Sequence, residues 1–325
     1  MTASIRRSAR LLSKTASAEP ASSSSIDAVA TAYSSKVVKT KATSTTVKAR
    51  LVAKHKIQAA PQSVVIPQDS TSPSSSAAAV TGSVQSIGNQ EALDEGIRFL
   101  KAADPKLGKF IETVQEPCTL MLSRDKNGQS SYESLCQSII FQQLAGKAAT
   151  AILLRFLKRY GQLKDASKTA DLESESSTLT TADFVFPPPA MVAGLDVDEM
   201  RAVGLGQRKA EYLKEVATRF KDGKLSEGLL KDMSDEEVSR VLVAIRGIGQ
   251  WTADMFLMFH LKRPNVLPTL DLAVRKAMCH HFGVPFGKKT PTHEQMVELA
   301  RPWEPYRSIA SWYMWRLMGT ITQKS

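Results

Sequence analysis

The sequence predicts an all-α fold that follows a long segment without stable structure. After this N-terminal segment, apolar residues recur at the spacing of an amphipathic helix, for example in 91–103 and 133–160. No run of useful length alternates apolar and polar residues as a strand does, and two glycines, Gly247 and Gly249, separate two stretches with a strong helical pattern. We therefore expect residues 91–325 to form a mainly helical domain.

The N-terminal segment, residues 1–90, is rich in serine, alanine and threonine and contains eleven Lys and Arg against three Asp and Glu. A segment of this composition buries too little apolar surface to offset its chain entropy, so we predict that it is disordered. Its first 18 residues carry four basic side chains and no acidic one, as in a transit peptide for the mitochondrion or plastid. A flexible basic arm that carries a nuclear signal or holds DNA phosphates fits the same residues equally well.

The charge of the remaining residues is nearly balanced. The chain of 325 residues has a net charge of +11, but residues 91–325 hold only 32 basic against 29 acidic side chains. Nucleic-acid binding by the helical part would therefore depend on where its charges lie. No run of 18 apolar residues is available for a membrane-spanning helix. Cys118, Cys136 and Cys279 are too few for a disulfide framework or a four-thiolate metal site.

A helix, a glycine turn and a second helix are predicted within 234–261. Ser234 and Glu237 form a capping box at the start of the first helix, whose apolar face ends at the first glycine of the turn. The turn at 247–249 exposes backbone N–H groups beside the positive end of the next helix, predicted over 251–261, and this combination suits a phosphate. A tight helix–helix turn without a ligand is the commoner explanation when such a motif stands alone.

Two loops interrupt the predicted helices. A polar stretch over 164–183, closed by three prolines, predicts a surface loop, and the helical pattern resumes at Met191. A second loop over 267–271 leads into a helix that opens near Asp271. An acidic residue in a first helical turn is ordinarily a favourable charge and no more. The spacing from the glycine turn nevertheless makes Asp271 a candidate for catalysis.

The sequence around these features resembles the helix-hairpin-helix (HhH-GPD) superfamily of DNA glycosylases. The stretches IRGIGQWTADMF at 245–256 and LPTLDLAVRK at 267–276 are similar to the hairpin of that superfamily and to the segment of its catalytic aspartate. Further similar stretches are SIIFQQLAGKAA at 138–149, GLGQRKAEYLKEVA at 204–217 and RPWEPYRSIASWYMWRL at 301–317. The most similar branch is that of the DNA-3-methyladenine glycosylases.

The resemblance implies a monofunctional glycosylase that flips an alkylated purine of the 3-methyladenine type out of DNA and hydrolyses its N-glycosidic bond, which starts base excision repair. It implies that Asp271 is catalytic, because a carboxylate beside the sugar stabilises the positive charge of the transition state. It places Trp251, Met255 and Trp315 at the base pocket, where aromatic faces stack on a cationic base. Bifunctional relatives carry a lysine in place of Trp251, so no lyase activity is expected.

The resemblance also implies that the protein binds double-stranded damaged DNA as a monomer. Gln143 corresponds to a side chain that fills the gap left by the flipped base, although an exposed helical glutamine without this role fits the residue equally well. The DNA-binding residues implied at the hairpin are Gly247, Ile248, Gly249, Gln250 and Thr252. The main-chain carbonyls implied to bind a monovalent cation, K⁺ or Na⁺, are those of Val243, Ile245 and Gly247. No other cofactor is implied, and an iron–sulfur cluster is not expected because only one cysteine, Cys279, follows the catalytic region.

Two helical lobes with a DNA-binding cleft between them are the architecture that the resemblance implies, with Asp271 at the mouth of the cleft. A six-helix lobe over about 130–280 contains the hairpin at 238–261, and a second lobe combines 91–129 with 290–325. The chain departs from the family pattern where glycines are common, at Leu270, Ala273 and Ala277. These departures make a DNA-binding protein without catalytic activity one alternative. A glycosylase for another base lesion is the other, because specificity depends on the shape of the pocket, which one sequence does not reveal.

Overall fold

The computed structural model describes most of the part of the chain that the sequence predicts to be folded. The described residues are 86–116, 118, 128–172, 178–287 and 290–323. The segment 1–85 lies outside them, so its disorder and its role as a targeting signal or DNA-binding arm stay predictions. For residues 86–90 the predicted disorder is wrong, because Ile87 is fully buried and donates its N–H to the Lys262 carbonyl, and Asn89 caps a helix that begins at Gln90. Within the described ranges, no helix combines the length and the apolar character that crossing a lipid bilayer requires.

Helices make up most of the described structure, and the predicted all-α class is confirmed. The helices are α1 (Gln90–Ala103), α2 (Pro105–Thr113), α3 (Ser131–Phe141), α4 (Gly146–Tyr160), α5 (Pro189–Gly194), α6 (Val197–Ala202), α7 (Gln207–Lys221), α8 (Glu227–Asp232), α9 (Asp235–Val243), α10 (Gln250–Phe259), α11 (Leu272–Phe282), α12 (His293–Leu299) and α13 (Arg307–Gln323). Two short strands, β1 (Gln162–Leu163) and β2 (Phe184–Val185), pair antiparallel. They flank the stretch predicted as a polar loop, whose described residues include short 3-10 turns.

The stretch 133–160, predicted as a continuous helical segment, is two helices, α3 and α4. The chain turns sharply between them because Gln143 adopts a left-handed backbone conformation, with φ of 56°. A right-handed helix does not continue through a left-handed residue. The apolar spacing of the two helices happens to stay in register across the turn, which is why the sequence pattern alone missed the break.

The other predicted boundaries differ from the structure by a few residues. The capping box at the start of α9 is confirmed, since the side chains of Ser234 and Glu237 each accept a bond from the backbone N–H of the other. α9 ends at Val243, before the glycine turn, because successive i to i+3 backbone bonds tighten the chain there. α10 begins and ends slightly earlier than predicted, and α5 begins at Pro189, a residue that is favourable in a first helical turn.

The helices pack around a continuous apolar core. α7 packs against α3, α5 and α6, and α9 packs against α10. At the other end of the molecule, α1 packs against α2 and α13, and α11 packs against α13. α11, most of which the predicted boundary assigns to the six-helix lobe, therefore contacts the C-terminal helix of the predicted second lobe. The division into two lobes stays a prediction.

A buried cluster around Asp104 fixes the C-terminal end of α11. The Asp104 side chain caps α2 by accepting from the Leu107 N–H, and its second oxygen accepts from His281 Nε2 at 2.6 Å and Trp303 Nε1 at 2.9 Å. Burial alone would raise the pKa of this carboxyl, but the bonds from Leu107, Trp303 and His281 outweigh burial and lower it. Hydrogen bonds to one carboxylate thus join the N-terminal helices to α11 and to the segment before α13.

Candidate active site

Asp271 is the N-cap of α11, and its side chain turns back onto the first turn of that helix. Its Oδ1 accepts hydrogen bonds from the backbone N–H groups of Ala273 and Val274, both at 2.9 Å. Asp is among the best N-cap residues because it satisfies helix N–H groups that have no partner within the helix. The loop is tightened by a bond from Asp271 N to the carbonyl of Pro268. The predicted helix start near Asp271 is therefore present.

Two tryptophan side chains donate to the same carboxylate. Trp251 Nε1 lies 2.9 Å from Asp271 Oδ2, and Trp315 Nε1 lies 3.0 Å from Asp271 Oδ1. The carboxylate therefore accepts three bonds on Oδ1 and one on Oδ2 from the described residues. These donors offset the loss of hydration of a buried charge and fix the plane of the carboxylate. We call Asp271, Trp251 and Trp315 the carboxylate cluster.

The carboxylate cluster lies just below the molecular surface. Asp271 is only 5% exposed, whereas Trp251 is 40% exposed and Leu270 is 59% exposed. Two large apolar side chains, one bonded to Asp271 and one adjacent to it in the chain, are therefore open to solvent. Ala273 donates its N–H to Asp271 and Ala277 is fully buried, so both side chains are accommodated at positions where the family commonly has glycine.

One face of α10 continues the apolar surface away from Asp271. Trp251, Met255 and Phe259 follow one another at intervals of four residues and so lie on the same side of the helix. The ring of Phe259 stacks on that of Trp315, with 5.7 Å between the ring centres and 26° between the planes. Phe259, which the sequence analysis did not single out, therefore lies on the helix face of Trp251 and Met255 and stacks on Trp315.

The hairpin between α9 and α10 depends on Gly247 for its geometry. Gly247 has φ of 88°, and a Cβ atom there would lie 2.0 Å from the ring of Tyr212 on α7. Gly249 has an ordinary φ of −95° and faces open space, where a Cβ atom would meet nothing within 4 Å. Gly249 therefore leaves the backbone uncovered at the start of α10, a helix whose N-terminus is capped by no side chain.

Most side chains predicted to bind DNA at the hairpin face inward. Ile248 and Thr252 are buried, at 4% and 7% exposure. The amide of Gln250 donates to Asp254 at 2.8 Å and bonds with the Ser239 hydroxyl of α9. Gln250 is exposed but its amide is occupied by these bonds, so the hairpin presents mainly main-chain groups to a ligand.

The carbonyls predicted to bind a cation lie at the end of α9 and in the turn after it. The Ile245 oxygen accepts from the Ile248 N–H, and the Gly247 oxygen accepts from Gln142 Nε2 at 2.8 Å. A carbonyl oxygen has two lone pairs, so each of these retains one. The Val243 carbonyl lies at the negative end of the dipole of α9, and cation binding by the three carbonyls stays a prediction.

Gln143 lies at the surface in the turn between α3 and α4, and its amide side chain is exposed. The neighbouring Gln142 links this turn to the hairpin through its bond to the Gly247 carbonyl. Neither this bond nor the left-handed conformation has a signal in the local sequence.

The profile of HhH-GPD superfamily base excision DNA repair proteins matches residues 136–305, just over half of the chain. This chain belongs to that superfamily. The resemblance seen in the sequence is confirmed, and the matched region of this HhH-GPD protein includes the hairpin, Trp251 and Asp271.

Individual relatives also support the assignment to the DNA-3-methyladenine glycosylase branch of the superfamily. A putative DNA-3-methyladenine glycosylase of Bacillus subtilis is 34% identical over 58% of this HhH-GPD protein and 58% of its own length. DNA-3-methyladenine glycosylase 1 of Schizosaccharomyces pombe is 31% identical over 60% of this chain and 75% of its own. A solved structure of the S. pombe 3-methyladenine DNA glycosylase in complex with abasic DNA has a TM-score of 0.50 and 28% identity, and the match covers 68% of this chain and 95% of that one. The chain thus spans somewhat less than two thirds of the B. subtilis relative.

Asp254, on the hairpin helix of this HhH-GPD protein, is a buried carboxyl that the sequence analysis missed. It is 6% exposed, and burial raises its pKa to about 6, although the bond from Gln250 and the nearby His293 act in the opposite direction. The folded protein therefore binds this proton more tightly than the unfolded chain does. The resulting stabilisation is complete below the ordinary pKa of 3.8 and is lost as the pH rises through about 6.

Asp254→Asn should raise the free energy of unfolding at pH 8 by about 2–3 kcal/mol, with little change near pH 4, because the amide never becomes charged. Urea unfolding across this pH range measures the difference. Asp94→Asn is the matched control, since Asp94 accepts from Gln90 four residues earlier in the same way but is exposed. An equal pH dependence in the two variants would contradict the prediction.

Proposed function

We propose that this protein is a monofunctional DNA glycosylase that flips an alkylated purine of the 3-methyladenine type out of the helix and hydrolyses its N-glycosidic bond, the first step of base excision repair. The observation that carries the proposal is the carboxylate cluster, in which two indole N–H groups and two backbone N–H groups hold one carboxylate at the end of a helix. The names of the relatives support the substrate class.

Asp271 acts as the catalytic carboxylate in this proposal. Cleavage of the bond between base and sugar builds positive charge on the sugar, and a fixed negative charge nearby lowers the energy of that state. Oδ1 is occupied by three donors, whereas Oδ2 accepts only from Trp251 among the described residues. Oδ2 is therefore the oxygen that faces the sugar or orients the attacking water.

The base pocket is formed by the aromatic surface beside the carboxylate. Extrusion of a base costs a few kcal/mol, and a cationic purine recovers roughly 1–2 kcal/mol by stacking on an electron-rich ring. Trp251 is the exposed ring, Met255 continues its face of α10, and Trp315 lies against Phe259. Each tryptophan thus has two functions, since its ring faces the base and its N–H holds the carboxylate.

Double-stranded damaged DNA is the proposed partner of a monomeric protein. The uncovered backbone from Gly249 to the first turn of α10 holds a phosphate, with Gly249, Gln250 and Thr252 contributing main-chain N–H groups, while Gly247 and Ile248, whose N–H is bonded to the Ile245 carbonyl, shape the turn beside it. Gln143 fills the gap in the base stack. The reaction needs no cofactor, although the carbonyls of Val243, Ile245 and Gly247 would accept a monovalent cation beside the phosphate. The nucleus is the proposed compartment, with the mitochondrion or plastid as the alternative offered by the basic N-terminal segment.

Asp271→Asn should lower the rate of base release at least about a hundredfold, because the amide keeps the shape of the side chain but removes the charge. Binding to a duplex with a stable abasic-site analogue should be unchanged or tighter, since a negative charge near the phosphates is lost. Single-turnover release of methylated bases and fluorescence anisotropy measure the two effects. Loss of binding in parallel with activity would count against a chemical role for Asp271.

Trp315→Phe should lower the single-turnover rate by about tenfold while it leaves substrate affinity nearly unchanged, because phenylalanine keeps an aromatic face but donates no bond to Asp271. Trp312→Phe on the same helix is the matched control, since Trp312 is buried and its Nε1 has no partner among the described residues. Both variants lose similar ring volume, so an equal loss of rate in the two would show that the bond to Asp271 is unimportant.

Duplexes with methylated purines, hypoxanthine or etheno-adenine should remain unbroken after reaction and be cleaved only when alkali is added, because a monofunctional enzyme leaves an abasic site. Denaturing gel electrophoresis with and without alkali measures this and compares the three lesions. Strand cleavage without alkali would contradict monofunctional action. Preference for a lesion other than methylated purines would favour a different specificity, and release of no base would favour a DNA-binding protein.

A further inference from the structure

The turn that presents Gln143 has an unusual composition for its geometry. Leu144 N donates to the Phe141 carbonyl at 3.3 Å, Gln142 has φ of −53° and ψ of 132°, and Gln143 has φ of 56°. These values match a type II β-turn, in which the third position normally requires glycine or asparagine. Glutamine at that position is disfavoured, so other contacts must maintain the turn.

Type I and type II turns differ mainly in the orientation of their central peptide group. Rotation of the 142–143 peptide by about half a turn would convert the observed geometry into a type I turn, with Gln143 near φ of about −90°. That rotation would turn the Gln142 carbonyl to the opposite side of the chain and would redirect the Gln143 side chain. The direction of the Gln142 carbonyl therefore determines how Gln143 is presented.

Lys209 of α7 binds this carbonyl directly. Its ammonium group donates to the carbonyls of Gln142 and Ile140, both at 2.7 Å, across nearly seventy residues of sequence. Lys209 lies in the first turn of α7, where the helix dipole disfavours a cation, and burial lowers its pKa. The two carbonyl acceptors are the hydrogen-bond partners that the partly buried ammonium group has in place of water. On its other side, the turn is fixed to the hairpin by the bond from Gln142 Nε2 to the Gly247 carbonyl.

We propose that Lys209 is a positioning residue for Gln143: its bond to the Gln142 carbonyl holds the 142–143 peptide in the type II orientation and so directs the Gln143 side chain into the gap left by the flipped base. This inference rests on the proposed function, in which Gln143 enters the DNA. Lys209 touches no DNA in this scheme and acts only through the turn.

The test is a double-mutant cycle of Lys209→Met and Gln143→Ala. The signal is the fluorescence of 2-aminopurine placed opposite a tetrahydrofuran abasic-site analogue in a DNA duplex. Insertion of Gln143 alters the stacking of the probe without any bond cleavage, so this signal is independent of catalysis. Lys209→Met should weaken the signal by about tenfold in the wild-type background and have no further effect in the Gln143→Ala background. Single-turnover base release should follow the same pattern.

Lys214→Met is the matched control, because Lys214 is another α7 lysine that donates to a main-chain carbonyl, that of Leu195, away from the turn. It removes the same charge and the same type of bond. The unfolding midpoint of every variant is measured alongside. The inference is overturned if Lys214→Met has the same effect as Lys209→Met, if the effects of Lys209→Met and Gln143→Ala multiply, or if the wild-type protein gives no probe signal.

The two proposals fail in different ways. If the wild-type protein releases the base but the effects of Lys209→Met and Gln143→Ala on the probe signal multiply, the glycosylase function stands and the role of Lys209 is refuted. A coupled probe signal without release of any base would support the role of Lys209 and refute the glycosylase function.

Discussion

The site depends on the placement of one charged group, the Asp271 carboxylate, in a nearly buried position. A carboxylate taken out of water is strongly destabilised unless donors replace its hydration. The chain provides four such donors from three places: two N–H groups of α11, the indole of α10 and the indole of α13. The relative positions of these three helices are therefore fixed by the same bonds that orient the carboxylate.

The hairpin contributes in a different way, through main-chain geometry instead of side chains. Gly247 combines a left-handed φ with contact against Tyr212, so any other residue would clash and strain the backbone. Gly249 has a backbone conformation that any residue can adopt and no neighbour that a Cβ atom would meet. Its importance is that the absent side chain leaves the backbone open to solvent. A motif of two glycines thus contains two separate requirements, one conformational and one for access.

Local sequence signals predicted the parts of the structure that local interactions create. The capping box of Ser234 and Glu237, the helix start at Asp271 and the helical class all follow from residues within a few positions of one another. The role of Trp315 as a donor was not predictable in this way, because it lies 44 residues from Asp271. The bond between Gln142 and Gly247 spans 105 residues, and the left-handed Gln143 contradicts its own backbone preference. The family resemblance named Gln250 and Thr252, but only the structure shows that Thr252 is buried and that the exposed Gln250 amide is bonded to Asp254 and Ser239.

The Asp104 cluster bears on where the functional unit begins and ends. The region that defines the superfamily, 136–305, contains neither Asp104 nor Trp315. Yet the first holds the far end of α11 and the second supplies a donor to the carboxylate at its near end. A fragment cut to the matched boundaries would keep the hairpin and Asp271 and lose both supports, so the smallest unit that folds with an intact carboxylate cluster is wider than the stretch by which the family is recognised.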